Sequence, residues 1–210
     1  MAKAIIIMLS FSVFIITWIV WKRRTSASVF PLLVGMGAYI LIALLRMIAR
    51  GVVFTESLMA TPLLFYIVSA LLSGVFEEAG RFVVFRHTII DSWVDCVSYG
   101  IGHVSIELIL TYLPHIQEAD ISDIFLGGYS FATGISFSVA MSVLVYIAAN
   151  YADSKKFLAL AVAFHTLMDI IPAGYYLGTF NLGEYMLIEI LGIAAVCYFS
   201  YRMYRHFSEY

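Results

Sequence analysis

Charged residues are scarce in this chain, in which Asp, Glu, Lys and Arg make up only 12% of 210 residues. Typical soluble domains contain about 25% charged residues, so an ordinary soluble protein is excluded. The hydrophobic fraction of 62% and the mean hydropathy of +0.95 instead predict an all-α, polytopic integral membrane protein. A net charge of −2 gives no basis for nucleic-acid binding. Because no polar linker divides the chain, we expect residues 1–210 to form a single integral-membrane domain.

Cysteine is also rare, and the two cysteines, Cys96 and Cys197, lie in apolar stretches without a CxxC spacing. They are therefore expected to fill space rather than to form a disulfide or to bind a metal. The first hydrophobic run lacks a convincing small-residue cleavage site and is followed directly by Lys22, Arg23 and Arg24. We interpret this run as a retained membrane anchor and not as a signal peptide.

Seven apolar segments are long enough to cross a membrane, since a spanning helix needs about 20 residues. They are predicted at Ala4 to Trp21, Val29 to Ile48, Leu58 to about Phe85, Trp93 to Leu113, Ser130 to Asn150, Phe157 to Tyr176 and Tyr185 to Tyr201. Most basic residues fall on one side of this arrangement, which the positive-inside rule makes cytoplasmic. The N-terminus is therefore predicted outside and the C-terminus in the cytoplasm, with an acidic external connection from Pro114 to Tyr129.

Ionisable residues interrupt three of these apolar segments. Residues four apart lie on the same face of a helix, so a histidine followed four residues later by a carboxylate can interact with it. An arginine close to two adjacent carboxylates can neutralise one of them and leave the other to act as a general base. The three polar segments are Glu77-Glu78-x-x-Arg81, His103-x-x-x-Glu107 and His165-x-x-x-Asp169.

The three polar segments are predicted to lie at one depth in the membrane. The distances from a cytoplasmic end are similar, with Glu77 nine residues before Arg86, His103 eight residues after Asp95 and His165 nine residues after Lys156. At 1.5 Å per helical residue, these offsets correspond to roughly 12 to 14 Å. Ionisable residues at such a depth are costly and usually functional. We therefore predict that the three segments converge on one polar cavity in the cytoplasmic half of the bilayer.

A glutamate and a histidine in such a cavity suit the activation of water for attack on a carbonyl group. A second histidine paired with Asp169 would stabilise the oxyanion, provided that Asp169 is protonated or orients His165. The chain contains no HExxH signature, although His103, His165 and a carboxylate remain an alternative zinc site. Ser136 and Ser138 are candidate nucleophiles only by position.

Other functions and other roles for polar residues stay open. A non-catalytic scaffold or a small-solute transporter would also use buried acids and histidines, although a transporter usually shows internal repeats or interrupted helices. Arg46 and Glu189 lie toward the outer side of their spans and are interpreted as packing or interfacial residues. Gly35 and Gly37 are expected to permit close contact between helices.

The polar segments together resemble a known group of enzymes. Glu77-Glu78-x-x-Arg81, Tyr99-x-x-x-His103 and His165-x-x-x-Asp169 are similar to motifs of the glutamic-type intramembrane protease superfamily, which includes the CaaX endopeptidases, the PrsW proteases and the YhfC family. Through Glu77-Glu78-x-x-Arg81 and Gly102-His103-x-x-x-Glu107, the chain most resembles the YhfC family. The topology also resembles the multi-spanning scaffold subunit of γ-secretase. The resemblance covers roughly residues 63–172 and implies a prokaryotic plasma-membrane protein.

This resemblance implies an intramembrane endopeptidase that cuts membrane-associated peptides or proteins within the lipid bilayer and needs no metal or other cofactor. Glu77 would be the general base and His103 would hold the water, while Glu78 and Arg81 would orient Glu77. Glu107 would belong to the same site or would only satisfy its own histidine.

The third segment is implied to stabilise the oxyanion, with His165 and Asp169 in that role. The CaaX endopeptidases usually have one more residue before the arginine and an asparagine where Asp169 stands. Prenylated substrates are therefore not implied for this chain.

Overall fold

The computed structural model describes residues 2–88, 90–112, 121–151 and 155–209, with side chains described for residues 12–88, 90–111, 129–151 and 155–209. Within these ranges the chain forms eight helices. They are α1 (Ala2–Thr25), α2 (Val29–Val53), α3 (Glu56–Met59), α4 (Pro62–His87), α5 (Trp93–Tyr112), α6 (Ile121–Asn150), α7 (Lys155–Tyr176) and α8 (Leu182–Phe207). The predicted all-α, polytopic membrane fold is confirmed.

Six segments of the described chain are long and apolar enough to cross a membrane, and each overlaps a predicted span. The remaining predicted span, Ala4 to Trp21, is helical within α1, and the side chains of residues 2–11 lie outside the described part. Helix α6 begins at Ile121, so the later part of the predicted external connection is helical. The rest of that connection, residues 113–120, also lies outside the described part. The sidedness and the count of seven spans stay predictions.

The chain divides into two compact units. Unit 1 comprises Met1–Ile40 and Ile90–Ser142, and unit 2 comprises Leu41–Ile89 and Val143–Tyr210. The divisions fall within α2 and α6, so each of these helices contributes residues to both units. The predicted single domain stays a prediction, and the units are described separately below.

Unit 1 depends on close backbone contacts at glycines of α2 and α5. A Cβ atom at Gly35 would overlap the backbone carbonyl of Tyr99, and one at Gly102 would overlap the carbonyl of Leu32. The close helix contact expected at Gly35 is therefore confirmed. A buried apolar cluster surrounds this contact and consists of Leu32, Ile101, Val104 and Ile135.

Unit 2 is organised around the packing of α4 against α7. A Cβ atom at Gly74 would lie 2.6 Å from Thr166 Oγ1 and 3.0 Å from the carbonyl oxygen of Val162, so only glycine permits this approach. On its other side, α7 meets α8 at Gly192, where a Cβ atom would lie 2.8 Å from Met168 Sδ. These two contacts hold α7 between α4 and α8.

The second part of α2 runs antiparallel to α4 within unit 2. The side chain of Ile42 fills the space beside Gly80, and Arg50 donates a 2.9 Å hydrogen bond to Ser69 Oγ. A later residue of α2 therefore contacts an earlier residue of α4, as expected of antiparallel helices. Ile42, Arg46 and Arg50 recur every four residues, so Arg46 lies on the same face of α2, directed toward α4.

Gly35 offers a test of the close packing in unit 1. We expect Gly35→Ala to lower the free energy of unfolding by about 1–3 kcal/mol, because the added methyl group would overpack a backbone contact. Gly37→Ala is the matched control, since no atom of the described residues lies within 4 Å of a Cβ atom at Gly37. That control should leave stability unchanged or raise it slightly. Thermal unfolding in detergent measures both variants, and equal melting temperatures would contradict the close approach.

Candidate active site

Helix α4 has a polar stripe along its buried face. Ser73, Glu77 and Arg81 recur every four residues, Glu78 is adjacent to Glu77, and all four are buried. Glu77 exposes 1% of its surface and Glu78 exposes none. Carboxylates removed from water to this extent cost several kcal/mol unless cations or hydrogen-bond donors compensate them. The partners of the two glutamates therefore determine what this stripe can do.

The imidazole ring of His165 on α7 lies between carboxylates. Its Nδ1 atom is 2.6 Å from Glu78 Oε1, which is a short hydrogen bond between buried side chains. Its Nε2 atom is 3.7 Å from Glu77 Oε2 and 3.7 Å from Asp169 Oδ2. Both of these distances exceed a hydrogen bond. One ring nitrogen is thus fixed by Glu78, while the other faces two carboxylate oxygens across a gap.

Each of the adjacent glutamates has its own arginine. Arg81 Nε lies 3.6 Å from Glu78 Oε2, one turn along α4. Arg46 Nη1 on α2 donates to Glu77 Oε1 and also to Ser73 Oγ. The hydroxyl of Ser73 lies 3.2 Å from the same Glu77 oxygen. The expectation that a single arginine neutralises one glutamate and leaves the other free is therefore wrong.

The interpretation of Arg46 as a packing or interfacial residue is also wrong. It followed from the position of Arg46 along its own helix, whereas the partner of Arg46 is set by the antiparallel packing of α2 on α4. A signal was present in the sequence, because Arg46 and Arg50 lie four residues apart within an apolar span. Arginines inside a membrane span generally face an acidic or polar partner in the protein.

Asp169 lies at the edge of the cluster around His165. Its side chain is 38% exposed, whereas that of His165 is 7% exposed. The cluster therefore reaches the surface of the chain at Asp169.

His103 and Glu107 belong to unit 1, whereas Glu77, Glu78, Arg81, His165 and Asp169 belong to unit 2. The His103 ring is completely buried and lies between two tyrosines, at centroid distances of 5.0 Å from Tyr39 and 5.7 Å from Tyr99. Glu107 is half-buried. That His103 and Glu107 share one cavity with Glu77 stays a prediction.

The residues around Nε2 of His165 have the donor chemistry of a divalent metal site. Tetrahedral zinc bound at 2.0–2.2 Å places neighbouring ligand atoms about 3.4 Å apart, close to the two 3.7 Å separations at Nε2. Glu78 on Nδ1 supplies the carboxylate that usually orients a metal-binding histidine. Glu77, His165 and Asp169 thus offer ligand types that a divalent cation accepts, in two pairs that share Nε2 of His165.

The contact between Glu78 and His165 leads to a test of stability. We expect Glu78→Ala to lower the free energy of unfolding by about 3–5 kcal/mol, because it removes the carboxylate that lies against the buried side chains of His165 and Arg81. Glu56→Ala is the control, since Glu56 is exposed in α3 and should change stability by less than about 1 kcal/mol. Chemical denaturation in mixed micelles measures both, and similar losses would show that Glu78 contributes no more than a surface glutamate.

Comparison with known proteins places the chain in a family. The family model described as YhfC intramembrane metalloprotease matches residues 6–123, which is more than half of the chain and includes the first two polar segments. The uncharacterized membrane protein YhfC of Bacillus subtilis (strain 168) is 32% identical over 107 residues, covering 44% of this chain and 39% of that protein. The match thus spans about two fifths of the relative's length, and no solved structure matches the chain. The chain belongs to the YhfC family.

Proposed function

We propose that this chain is an intramembrane peptidase whose hydrolytic centre is the cluster around His165. The observation that carries the proposal is the gap at Nε2, which two carboxylate oxygens face at 3.7 Å within an apolar, buried setting. This arrangement offers a ring nitrogen and two carboxylate oxygens to a water molecule or a cation that lies beside them. The description of the family as intramembrane metalloproteases supports peptide hydrolysis and favours a metal.

In the form with a metal, Glu77, His165 and Asp169 would hold a divalent cation. That cation would polarise the scissile carbonyl and make hydroxide available from bound water near neutral pH. Glu78 would keep Nε2 of His165 directed at the cation through its hydrogen bond to Nδ1. Arg81 beside Glu78 would keep that glutamate ionised and fixed.

In the form without a metal, Glu77 would itself take the proton from water, as the sequence predicts. Its Oε2 atom faces the cluster, whereas Oε1 is bound by Arg46 and Ser73. His165 would then donate to the oxyanion through Nε2, because Nδ1 is already bound to Glu78. Both forms require Glu77 and His165, and they differ only in their response to chelators.

The substrate class follows from the position of the cluster inside membrane-spanning helices. A peptide bond can reach Nε2 of His165 only from within or beside the bilayer, past the exposed Asp169. Backbone polar groups of a helix in lipid are already paired within that helix. We therefore expect substrates in which a membrane-associated segment is extended or unwound near the bond that is cut.

Glu77→Gln provides the test of this function. Glutamine keeps the size of the side chain but can neither accept a proton nor bind a cation as a carboxylate does, so we expect cleavage to fall by at least about 100-fold. Glu56→Gln is the matched control and should cleave at the wild-type rate, because Glu56 is exposed in α3. The assay is cleavage of membrane-anchored peptides by the purified full chain in liposomes.

A chelator separates the two forms in the same assay. Loss of cleavage on chelation and recovery with added Zn²⁺ would support the form with a metal, and unchanged cleavage would support the form without one. Equal rates for wild type and Glu77→Gln would contradict both. Absence of cleavage with every peptide would instead favour a scaffold.

A further inference from the structure

Arg46 is an arginine on an otherwise apolar and largely exposed part of α2. Its neighbours along the helix are highly exposed, with 48% for Leu45, 62% for Met47 and 64% for Ile48, as expected of side chains that face lipid. The Arg46 side chain is only 14% exposed. An arginine at such a position is costly, so its retention inside the protein needs a specific interaction.

That interaction is a closed set of three polar contacts. Arg46 Nη1 donates to Glu77 Oε1 and to Ser73 Oγ, and the Ser73 hydroxyl lies 3.2 Å from the same Glu77 oxygen. Two donors therefore bind one oxygen of the Glu77 carboxylate. A carboxylate bound in this way cannot rotate without breaking a charge-assisted hydrogen bond, which is among the stronger hydrogen bonds in proteins.

The second oxygen of Glu77 is directed to the gap in the cluster. Glu77 Oε2 lies 3.7 Å from Nε2 of His165, on the side opposite the bound Oε1. The side chain of a glutamate has three rotatable bonds, so an unbound carboxylate would sample several orientations. Only a fraction of these would place Oε2 correctly for the reaction. The contacts to Oε1 thus select the orientation in which Oε2 faces His165.

We propose that Arg46 is a positioning residue, which together with Ser73 fixes the Glu77 carboxylate so that Oε2 faces Nε2 of His165. This proposal rests on the proposed function, in which Glu77 takes part in hydrolysis. Arg46 acts through Glu77 and is not itself assigned a part in the chemistry. By binding Oε1 of Glu77, Arg46 keeps Oε2 in a fixed position facing His165.

The matched control for Arg46 is Arg50, one helical turn further along α2. Arg50 lies on the same face and donates to Ser69 Oγ at 2.9 Å, so it also anchors α2 to α4. Removing the Arg50 side-chain charge tests the cost of losing an arginine anchor between these helices. Removing the side-chain charge of Arg46 tests the loss of an arginine anchor together with the loss of the contact to Glu77.

We expect Arg46→Gln to reduce kcat by roughly 10- to 100-fold while KM changes by less than about twofold, because misplacement of a reacting group affects the chemical step. Arg46→Lys keeps the charge but provides a single donor group, so it should recover part of the loss. Arg50→Gln should keep kcat within about twofold of the wild type, because Arg50 anchors α2 to α4 through Ser69. The measurements use the full chain in liposomes with one peptide substrate.

A second readout follows Glu77 directly and does not need turnover. Difference infrared spectra against Glu77→Gln isolate the carboxylate bands of Glu77. These bands should shift in Arg46→Gln, shift less in Arg46→Lys and remain in place in Arg50→Gln. A purely structural role of Arg46 would change thermal stability in Arg46→Gln and Arg50→Gln alike, without moving the Glu77 bands selectively.

The outcomes separate this proposal from the proposed function. Unchanged kcat and unchanged Glu77 bands in Arg46→Gln, with a wild type that cleaves and a Glu77→Gln that does not, would overturn the positioning role alone. A wild type that does not cleave, or a Glu77→Gln that cleaves equally well, would overturn the proposed function. In that case the infrared bands alone decide whether Arg46 orients Glu77.

Discussion

The hydrogen bond between Glu78 and His165 is the interaction on which the rest of the candidate site depends. It joins α4 to α7 at 2.6 Å, and it fixes the His165 ring so that Nε2 faces Glu77 and Asp169. Glycine at position 74 permits the close approach of α4 and α7 that such a short bond requires. Without this contact, the apolar surroundings would leave a buried carboxylate and a buried imidazole poorly compensated.

The remaining charges in this part of unit 2 are arranged around that bond. Arg81 lies against the other oxygen of Glu78, and Arg46 reaches Glu77 from α2. Each guanidinium offsets the desolvation of one glutamate. Among the described residues of the cluster, Asp169 is the carboxylate with substantial exposure.

Much of this arrangement could be predicted from the sequence. Glu77, Glu78, Arg81, His165 and Asp169 stand out because ionisable residues are rare in apolar spans, and the structure brings them together in unit 2. Their pairing could not be predicted, since periodicity gives the face of one helix but not the rotation of its neighbour. Arg46 was missed for this reason, and Glu78 was expected to orient Glu77, whereas it binds His165. For His103 and Glu107 in unit 1, the role remains a prediction.

The central claim is that the cluster around His165 is the centre that hydrolyses peptides, and, in its form with a metal, X-ray absorption at the zinc edge tests it most directly. The protein in liposomes, loaded with one equivalent of Zn²⁺, should show nitrogen and oxygen ligands at about 2.0–2.2 Å with scattering from imidazole. This signal should be lost in His165→Ala and kept in His87→Ala, because His87 is exposed at the end of α4. An identical zinc environment in wild type and His165→Ala would contradict the assignment of the site to His165.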